Sequence, residues 1–218
     1  MAPYGAMRHW PLTELSITTP RLVLRYPSLD DLDALGDRAT EGIHEEGEMP
    51  FLVPWSAADP GERARSTLQY HFRTWGALTA NDWSVEFAVV FEGQVVGTQG
   101  IMGTDFAVTR EVKTGSWLGR RFHGQGIGTE MRRAVLHLAF AGLEARYAVS
   151  EAFEDNHSSL AVTRKVGYQE DGITMHDRQG KPVATRRFRM AREDWKEQPG
   201  FEIHNLGPCL PLLGLGPA

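Results

Sequence analysis

Three glycines, Gly124, Gly126 and Gly128, alternate over five positions in the run Arg120-Arg121-Phe122-His123-Gly124-Gln125-Gly126-Ile127-Gly128-Thr129. An apolar, strand-like stretch, Gly115-Ser116-Trp117-Leu118, comes just before the run and a helical pattern follows it. Glycine lets the main chain turn sharply and approach a ligand with no Cβ in the way. The first N–H groups of a helix have no partner within it. With the positive end of the helix dipole they form a site for phosphate or pyrophosphate. The chemistry expected of residues 120–130 is therefore the holding of a phosphorylated cofactor. Taken alone, the same glycines also describe a strand-to-helix turn with no ligand. The Gly-Lys-Ser/Thr ending of a nucleotide P-loop is missing. A dinucleotide fold would place such glycines after its first strand, whereas here an antiparallel hairpin comes first.

A second group is Glu154-Asp155-Asn156-His157-Ser158-Ser159, followed by Gly167-Tyr168. An Asn at the end of a strand can bond both the backbone and an amide-bearing ligand. Ser159 falls in the first turn of the next helix, where it also reads as a cap. Gly167-Tyr168 is a helix stop followed by a strand start.

The elements that must position these groups follow from apolar periodicity. Residues 1–15 read as a loose arm, and 17–26 as a first strand. Ser28 caps a short helix with Leu29, Leu32 and Leu35 at helical spacing. The prolines around 49–55 leave a packed loop. Asp59-Pro60 opens a second helix with Leu68, Phe72, Trp75 and Leu78 as its stripe. Residues 85–91 and 95–102 form a hairpin, and 112–118 a further strand. A helix follows the glycine run and ends near Gly142. Then come a strand over 147–153, a helix over 158–166, and a closing hairpin over 168–174 and 183–190. With no repeat and no long linker, the chain reads as one α/β domain over 1–198, with its core at 17–192. Residues 199–218 form a Pro/Gly/Leu-rich tail, expected to be irregular and folded over the body or packed on a partner subunit.

The 218 residues are 41% hydrophobic and 23% charged, with a net charge of -5. This is the profile of an ordinary globular protein, and it argues against nucleic acid as a partner. Apolar runs fall short of the ~18 residues of a membrane span. The first ten residues lack the apolar core of a signal peptide. The single cysteine, Cys209, fits a reducing cytoplasm. No histidine pair has metal-ligand spacing, so no metal is expected.

With both motifs in hand, the chain resembles the GNAT superfamily of acyl-CoA N-acyltransferases, and most of all its RimJ/RimL-type branch. The family's pyrophosphate motif, Gln/Arg-x-x-Gly-x-Gly/Ala, is matched by Arg121-Phe122-His123-Gly124-Gln125-Gly126. The branch is matched from Trp117-Leu118-Gly119 through Gly124-Gln125-Gly126-Ile127-Gly128-Thr129-Glu130. Its Asn-x-x-Ser and Gly-Phe/Tyr are matched by Asn156-His157-Ser158-Ser159 and Gly167-Tyr168.

The resemblance implies the GNAT fold: a single mixed, mostly antiparallel sheet of six to seven strands with helices on both faces. The sheet should splay between strands 4 and 5, here 112–118 and 147–153. It implies acetyl-CoA as co-substrate, or another acyl-CoA such as succinyl-CoA, and no metal. Trp117, Leu118, Gly119, Arg121, Phe122, His123, Gly124, Gln125, Gly126, Ile127, Gly128, Thr129, Asn156 and Ser159 would bind it. The reaction would be direct attack of an acceptor amine in a ternary complex, the acceptor being a small molecule or a protein N-terminus or lysine. A tyrosine that protonates the departing thiolate in relatives is replaced by Thr163. Ser159 takes the place of the acid in the RimL-type branch. Lys113 occupies the usual position of the branch's acidic residue, leaving Glu111 and Asp105, ahead of Glu151, as candidate bases. Each also reads as an ordinary carboxylate.

Trp55, Trp75 and Trp83 read as core or lid packing, and Arg186-Arg187-Phe188-Arg189 as the solvated face of an edge strand. Leu210, Leu212, Leu213 and Leu215 hint at contact with another surface and so at a homo-oligomer. Two other readings stay open: a non-catalytic CoA-binding module, and a nucleotide-dependent oxidoreductase.

Overall fold

The computed structural model describes residues 7–45 and 47–216. Leu12, in a 3₁₀ turn at Pro11–Glu14, and Leu15 are buried, so the arm expected over 1–15 is packed from Leu12 onward. Its first six residues lie outside the described residues. The single strand expected over 17–26 is two short antiparallel strands, β1 (Ser16–Thr18) and β2 (Leu22–Arg25). Pro20, which cannot donate to a ladder, sits at the turn between them.

Helix α1 (Leu29–Glu41) starts at a capping box in which the Ser28 side chain accepts from the Asp31 N–H and Asp31 accepts from the Ser28 N–H. Arg25 holds the Asp31 carboxylate at 2.7 Å. Leu32, Leu35 and Ala39 are buried, whereas Leu29 is 52% exposed at the edge of the buried arc. Helix α2 (Pro60–Ala77) packs on α1. Its buried face is centred on Thr67 and His71, and Phe72, expected in the stripe, is left 46% exposed at the edge. Burial without a partner draws the His71 imidazole down to about 4.

Strands β3 (Asp82–Phe91) and β4 (Gln94–Thr104) form the expected hairpin. A short helix, α3 (Phe106–Thr109), leads into β5 (Glu111–Leu118). Helix α4 (Ile127–His137) runs on through a π turn to Gly142. It is followed by β6 (Tyr147–Phe153), α5 (His157–Val166), β7 (Gln169–Arg178), β8 (Lys181–Ala191) and β9 (Glu202–His204). Among the described residues, nine strands join in one sheet in the order β7-β8-β6-β5-β4-β3-β2-β1-β9. Two strands beyond the expected count of six to seven are accounted for by the break at Pro20 and by β9, which the tail supplies.

Strand β3 shows how the two faces are divided. Trp83, Val85, Phe87 and Val89 enter the main core with Met131, Val135 and Phe140. Ala88, facing the other way, packs with Leu32 and Leu35 of α1. Helices α1 and α2 thus cover one face and α4 the other.

Residues 199–216 fold over the body. β9 pairs with β1, Cys209 and Leu213 are buried, and Leu210, Leu212 and Leu215 pack on the main core. The surface that these leucines suggested is the chain's own core. Each buried leucine side chain contributes about 1.5–3 kcal/mol. β8 is an inner strand between β7 and β6, not an edge. Two of its arginines are ion-paired, Arg186 with Glu154 and Glu170 and Arg189 with Glu111 and Asp171, and Arg187 donates to the Asp171 carbonyl.

Candidate active site

Strands β5 and β6 are parallel and pair only from Glu111–Lys113 to Tyr147–Val149. Beyond that point β5 stays on β4 as far as Leu118, and β6 stays on β8 as far as Phe153. The two strands therefore diverge with their inner edges unpaired, as expected between 112–118 and 147–153. The gap opens into a cleft of about 1180 Å³.

The glycine run closes one end of this cleft. Gly126 is the N-cap of α4, at φ +78, in the left-handed region that a β-carbon disfavours. No side chain caps this helix start. Among the described residues, the backbone N–H groups of Gly124, Gln125, Gly126, Ile127 and Gly128 donate to no protein acceptor. Five successive free donors at a helix N-terminus make a ready anion cradle. Arg21 strengthens it. Its guanidinium bonds the Gln125 carbonyl and pairs with Glu130 at 2.6 Å, offsetting the acidic charge nearest the cradle. Arg21 is far away in sequence, and no local signal points to it.

Of the residues expected to bind the cofactor, Trp117, Leu118, Phe122, His123, Gly124, Gly126, Gly128, Thr129, Asn156 and Ser159 line the cleft. Gly119, Arg121, Gln125 and Ile127 have other surroundings. The Gly119 N–H bonds the Val96 carbonyl, Arg121 stacks on Phe122, Gln125 folds back onto the Arg121 carbonyl, and Ile127 is fully buried. Only the main chain of Gln125 and Ile127 is available to the cradle. His123 Nε2 is 3.1 Å from the Leu118 carbonyl. A carbonyl only accepts, so this contact requires the proton on Nε2.

Asn156 is the N-cap of α5. Its Oδ1 accepts from the Ser159 N–H and from the Ser158 hydroxyl, both at 3.0 Å. The capping role considered for Ser159 thus belongs to Asn156, whose side-chain NH₂ has no partner among the described residues. Thr163 is fully buried, and its hydroxyl has no partner among the described residues. At the mouth, Arg178 pairs with Asp155 at 2.6 Å and donates to the Met49 carbonyl at 2.8 Å, pinning the loop after α1 to the β7–β8 hairpin. This hydrogen bond lowers the Asp155 carboxyl below its ordinary value.

Where the strands part, Arg132 of α4 spans the gap. Its two terminal nitrogens donate to Ser150 of β6 at 3.1 Å and to Ser116 of β5 at 3.2 Å. Arg132 is 4% exposed, and burial lowers its pKa from the usual value.

On the opposite face of the sheet a second cavity, about 500 Å³, lies between α2 and strands β3 to β6. Glu86 is 5% exposed and lines neither described cavity, but it is bonded to two residues of the second. One carboxylate oxygen accepts from the Tyr70 and Ser84 hydroxyls, each at 2.9 Å, and both of those residues line the cavity. Burial pushes the Glu86 carboxyl above its ordinary value, against these two hydrogen bonds. Glu86 lies opposite Gly100, and Gly100 opposite Gly115. A Cβ at Gly100 would collide with both carboxylate oxygens. Glycine there lets the carboxylate lie over β4, about one strand spacing (~4.8 Å) from Gly115 at the gap. Glu86 was missed in the sequence; its one local signal is an acid inside the otherwise apolar run 85–91.

The candidate bases from the sequence fare differently. Glu111 lines the second cavity but is paired with Arg189 at 2.8 Å. Asp105 lines neither described cavity; it sits in the turn ahead of α3 at φ 47, where its carbonyl accepts from Val108 and Thr109. Glu151 pairs with Lys113. Lys113 lines the second cavity and Glu151 the first, so this ion pair stands where the two adjoin.

Residues 21–169, well over half of the chain, match the family model of the acetyltransferase (GNAT) domain. The chain belongs to the GNAT acetyltransferase family. YdaF of Bacillus subtilis (strain 168), provisionally named a ribosomal N-acetyltransferase, is 29% identical over 98 residues. That match covers 45% of this GNAT chain and 53% of YdaF, about half the length of the relative. Mycobacterium smegmatis RimJ in complex with a CoA disulfide matches at TM-score 0.66 and 15% identity, covering 91% of this chain and 94% of RimJ. RimL, a ribosomal L7/L12 α-N-protein acetyltransferase in complex with coenzyme A, matches at TM-score 0.62 and 17% identity over 79% of this chain and 95% of RimL. At these identities the likeness is one of fold. The free amide row and the parted strands of this GNAT chain suit the pyrophosphate and the amide-bearing arm of coenzyme A. Among the described residues, no cluster of three or more His, Cys, Asp or Glu side chains is arranged to hold a metal ion. No described helix is long and apolar enough to cross a membrane.

Proposed function

We propose that this GNAT protein transfers an acetyl group from acetyl-CoA to a primary amine by direct attack in a ternary complex. The observation that carries the reading is the row of five unpartnered N–H groups opening onto the gap between β5 and β6. The cradle takes the pyrophosphate, the parted strands take the pantetheine, and the acceptor enters from the α1–α2 face. A primary amine with pKa near ~10 is mostly protonated at neutral pH. Glu86, whose basicity burial raises, takes the proton. This moves the base from Glu111 and Asp105 to Glu86. The nitrogen lone pair attacks the thioester carbon, the C–S bond breaks, and its electron pair leaves on sulfur. Ser159, with its hydroxyl free of protein partners among the described residues, passes its proton to that sulfur and takes one from water in the same step. The names of YdaF and RimL bring a ribosomal-protein N-terminus forward as acceptor, and with it the cytoplasm as the place of action.

The test is thiol release from acetyl-CoA with peptides carrying a free N-terminus, lysine peptides and small amines. Tight coenzyme A binding without turnover on any amine would leave a CoA-binding module. Thermal stabilisation by NAD(P) but not by coenzyme A would leave an oxidoreductase. Ser159→Ala is expected to lower kcat by about 10–100-fold with coenzyme A affinity within about twofold. Full activity in that variant removes Ser159 from the chemistry.

A further inference from the structure

A buried cation with no anion beside it is costly, and folded proteins normally pair or neutralise one. Arg132 is such a group. It is 4% exposed, and no carboxylate lies within ion-pair distance among the described residues. Its surroundings are the Ser116 and Ser150 hydroxyls and the phenol of Tyr168. Tyr168 is itself bonded to Thr114 and raised by burial, so it is neutral. The Arg132 Nε–H has no partner among the described residues.

The two serines mark the lips of the gap. Ser150 follows Val149, the last β6 residue paired with β5, and Ser116 lies three residues past Lys113, the last β5 residue paired with β6. Both line the cleft. A hydroxyl has one O–H to donate and two lone pairs to accept with. Each serine spends a lone pair on the guanidinium and keeps its O–H for the cleft. A hydroxyl that accepts from a cation donates more strongly in turn.

We infer that Arg132, through the hydroxyls of Ser116 and Ser150, stabilises the thiolate of coenzyme A as it leaves. This rests on the acetyl-transfer reading, with the thioester at the gap. Nucleophilic attack moves the carbonyl π pair onto oxygen. Its return expels sulfur with the C–S pair, and the two hydroxyls donate to that sulfur; Glu86 already holds the ammonium proton, and the second proton on nitrogen passes to water. The charge is carried by a fixed positive site until Ser159 delivers a proton to the sulfur. Arg132 is thus a positioning residue for two donors in a chain that has Thr163 where relatives carry a tyrosine acid.

The test is the titration of the thiol of bound coenzyme A, followed by ultraviolet difference absorbance against a matched sample with desulfo-CoA. Cys209 does not interfere, because burial raises its thiol to about 11 and the matched sample cancels it. In the wild-type protein the bound thiol is expected to titrate at least about one pH unit below the ordinary value near 8.5. Arg132→Gln, and separately Ser116→Ala with Ser150→Ala, are expected to return it to the ordinary value. Turnover should fall by about 10-fold or more, with KM for acetyl-CoA little changed. The serine pair leaves Arg132 in place and covers the case in which Arg132→Gln does not fold.

Binding with an unshifted thiol in the wild-type protein overturns the inference and leaves acetyl transfer standing. No coenzyme A binding at all overturns both. A wild-type preference for succinyl-CoA that Arg132→Gln reverses, with the thiol unmoved, assigns Arg132 to an acyl carboxylate and overturns the thiolate role.

Discussion

Gly126→Val is expected to weaken coenzyme A binding by at least about 100-fold, or ~2.7 kcal/mol. Gly126 caps α4 at φ +78, where an L-residue costs about 1–2 kcal/mol and a β-branched one more. Around the site, a Cβ would meet only the Arg21 guanidinium, at 3.4 Å. The protein therefore has room for the first added carbon, and the damage is concentrated on the ligand. The valine branches crowd the phosphates, and relief of the φ strain turns the free N–H groups away from their common focus. In a chain of this size, ~1–2 kcal/mol of strain lowers Tm by only about 2–8 °C, so the variant should fold. Isothermal titration with coenzyme A gives the loss directly, and a thermal melt of the free protein separates it from unfolding. Unchanged affinity would remove the phosphates from this turn.

The second large effect is expected at Glu86. Glu86→Gln preserves shape and an oxygen that accepts from Tyr70 and Ser84, but cannot take a proton from an ammonium. Turnover is expected to fall by about 10²–10⁴-fold, with coenzyme A affinity unchanged. The pH dependence has a definite sign. Burial raises the Glu86 carboxyl, so wild-type kcat/KM should climb with pH through a value above the ordinary carboxylate range. The variant should lack that limb.

Stability separates a catalytic loss from a folding one. With a raised carboxyl pKa, the folded chain holds a proton that the unfolded chain releases. This contribution is full below the ordinary value near ~4.3 and is lost as pH rises through the raised one. Glutamine never charges, so Glu86→Gln should be no less stable than the wild type at neutral pH. Equal turnover in the two proteins would exclude Glu86 as the base.

The GNAT fold and its glycine turn were legible in the order of residues because their signals are local. Glycine spacing at 124, 126 and 128 requires a turn and bares the amides at a helix start. The β-branched run of β3 and β4 requires a hairpin. The Asn at 156 caps the helix behind it. The departures from that expectation had different causes, some local and some of distance along the chain. A proline too close to the middle of an expected strand split it. Residues 199–216 looked irregular because the partner of β9 is β1, more than 180 residues away. Phe72 and Leu29 carried the right periodicity, but helical spacing does not say which part of an apolar arc meets the sheet.

The chemistry around the gap belongs to tertiary structure. Glu86, Gly100 and Gly115 lie on three different strands, and only their register sets the carboxylate over β4 beside the parted strands. Arg132 reads in sequence as one polar residue in an amphipathic helix; packing of α4 across the divergence brings it to Ser116 and Ser150. Arg21 reaches the cradle, and Arg189 claims Glu111, across far longer stretches of chain. Backbone turns and amide donors are properties of a few neighbouring residues, so the sequence alone determined where a row of free N–H groups would start a helix. Which carboxylate is left unpaired and which cation is buried depend on side chains meeting across strands and helices, and those meetings were decided by the folded chain.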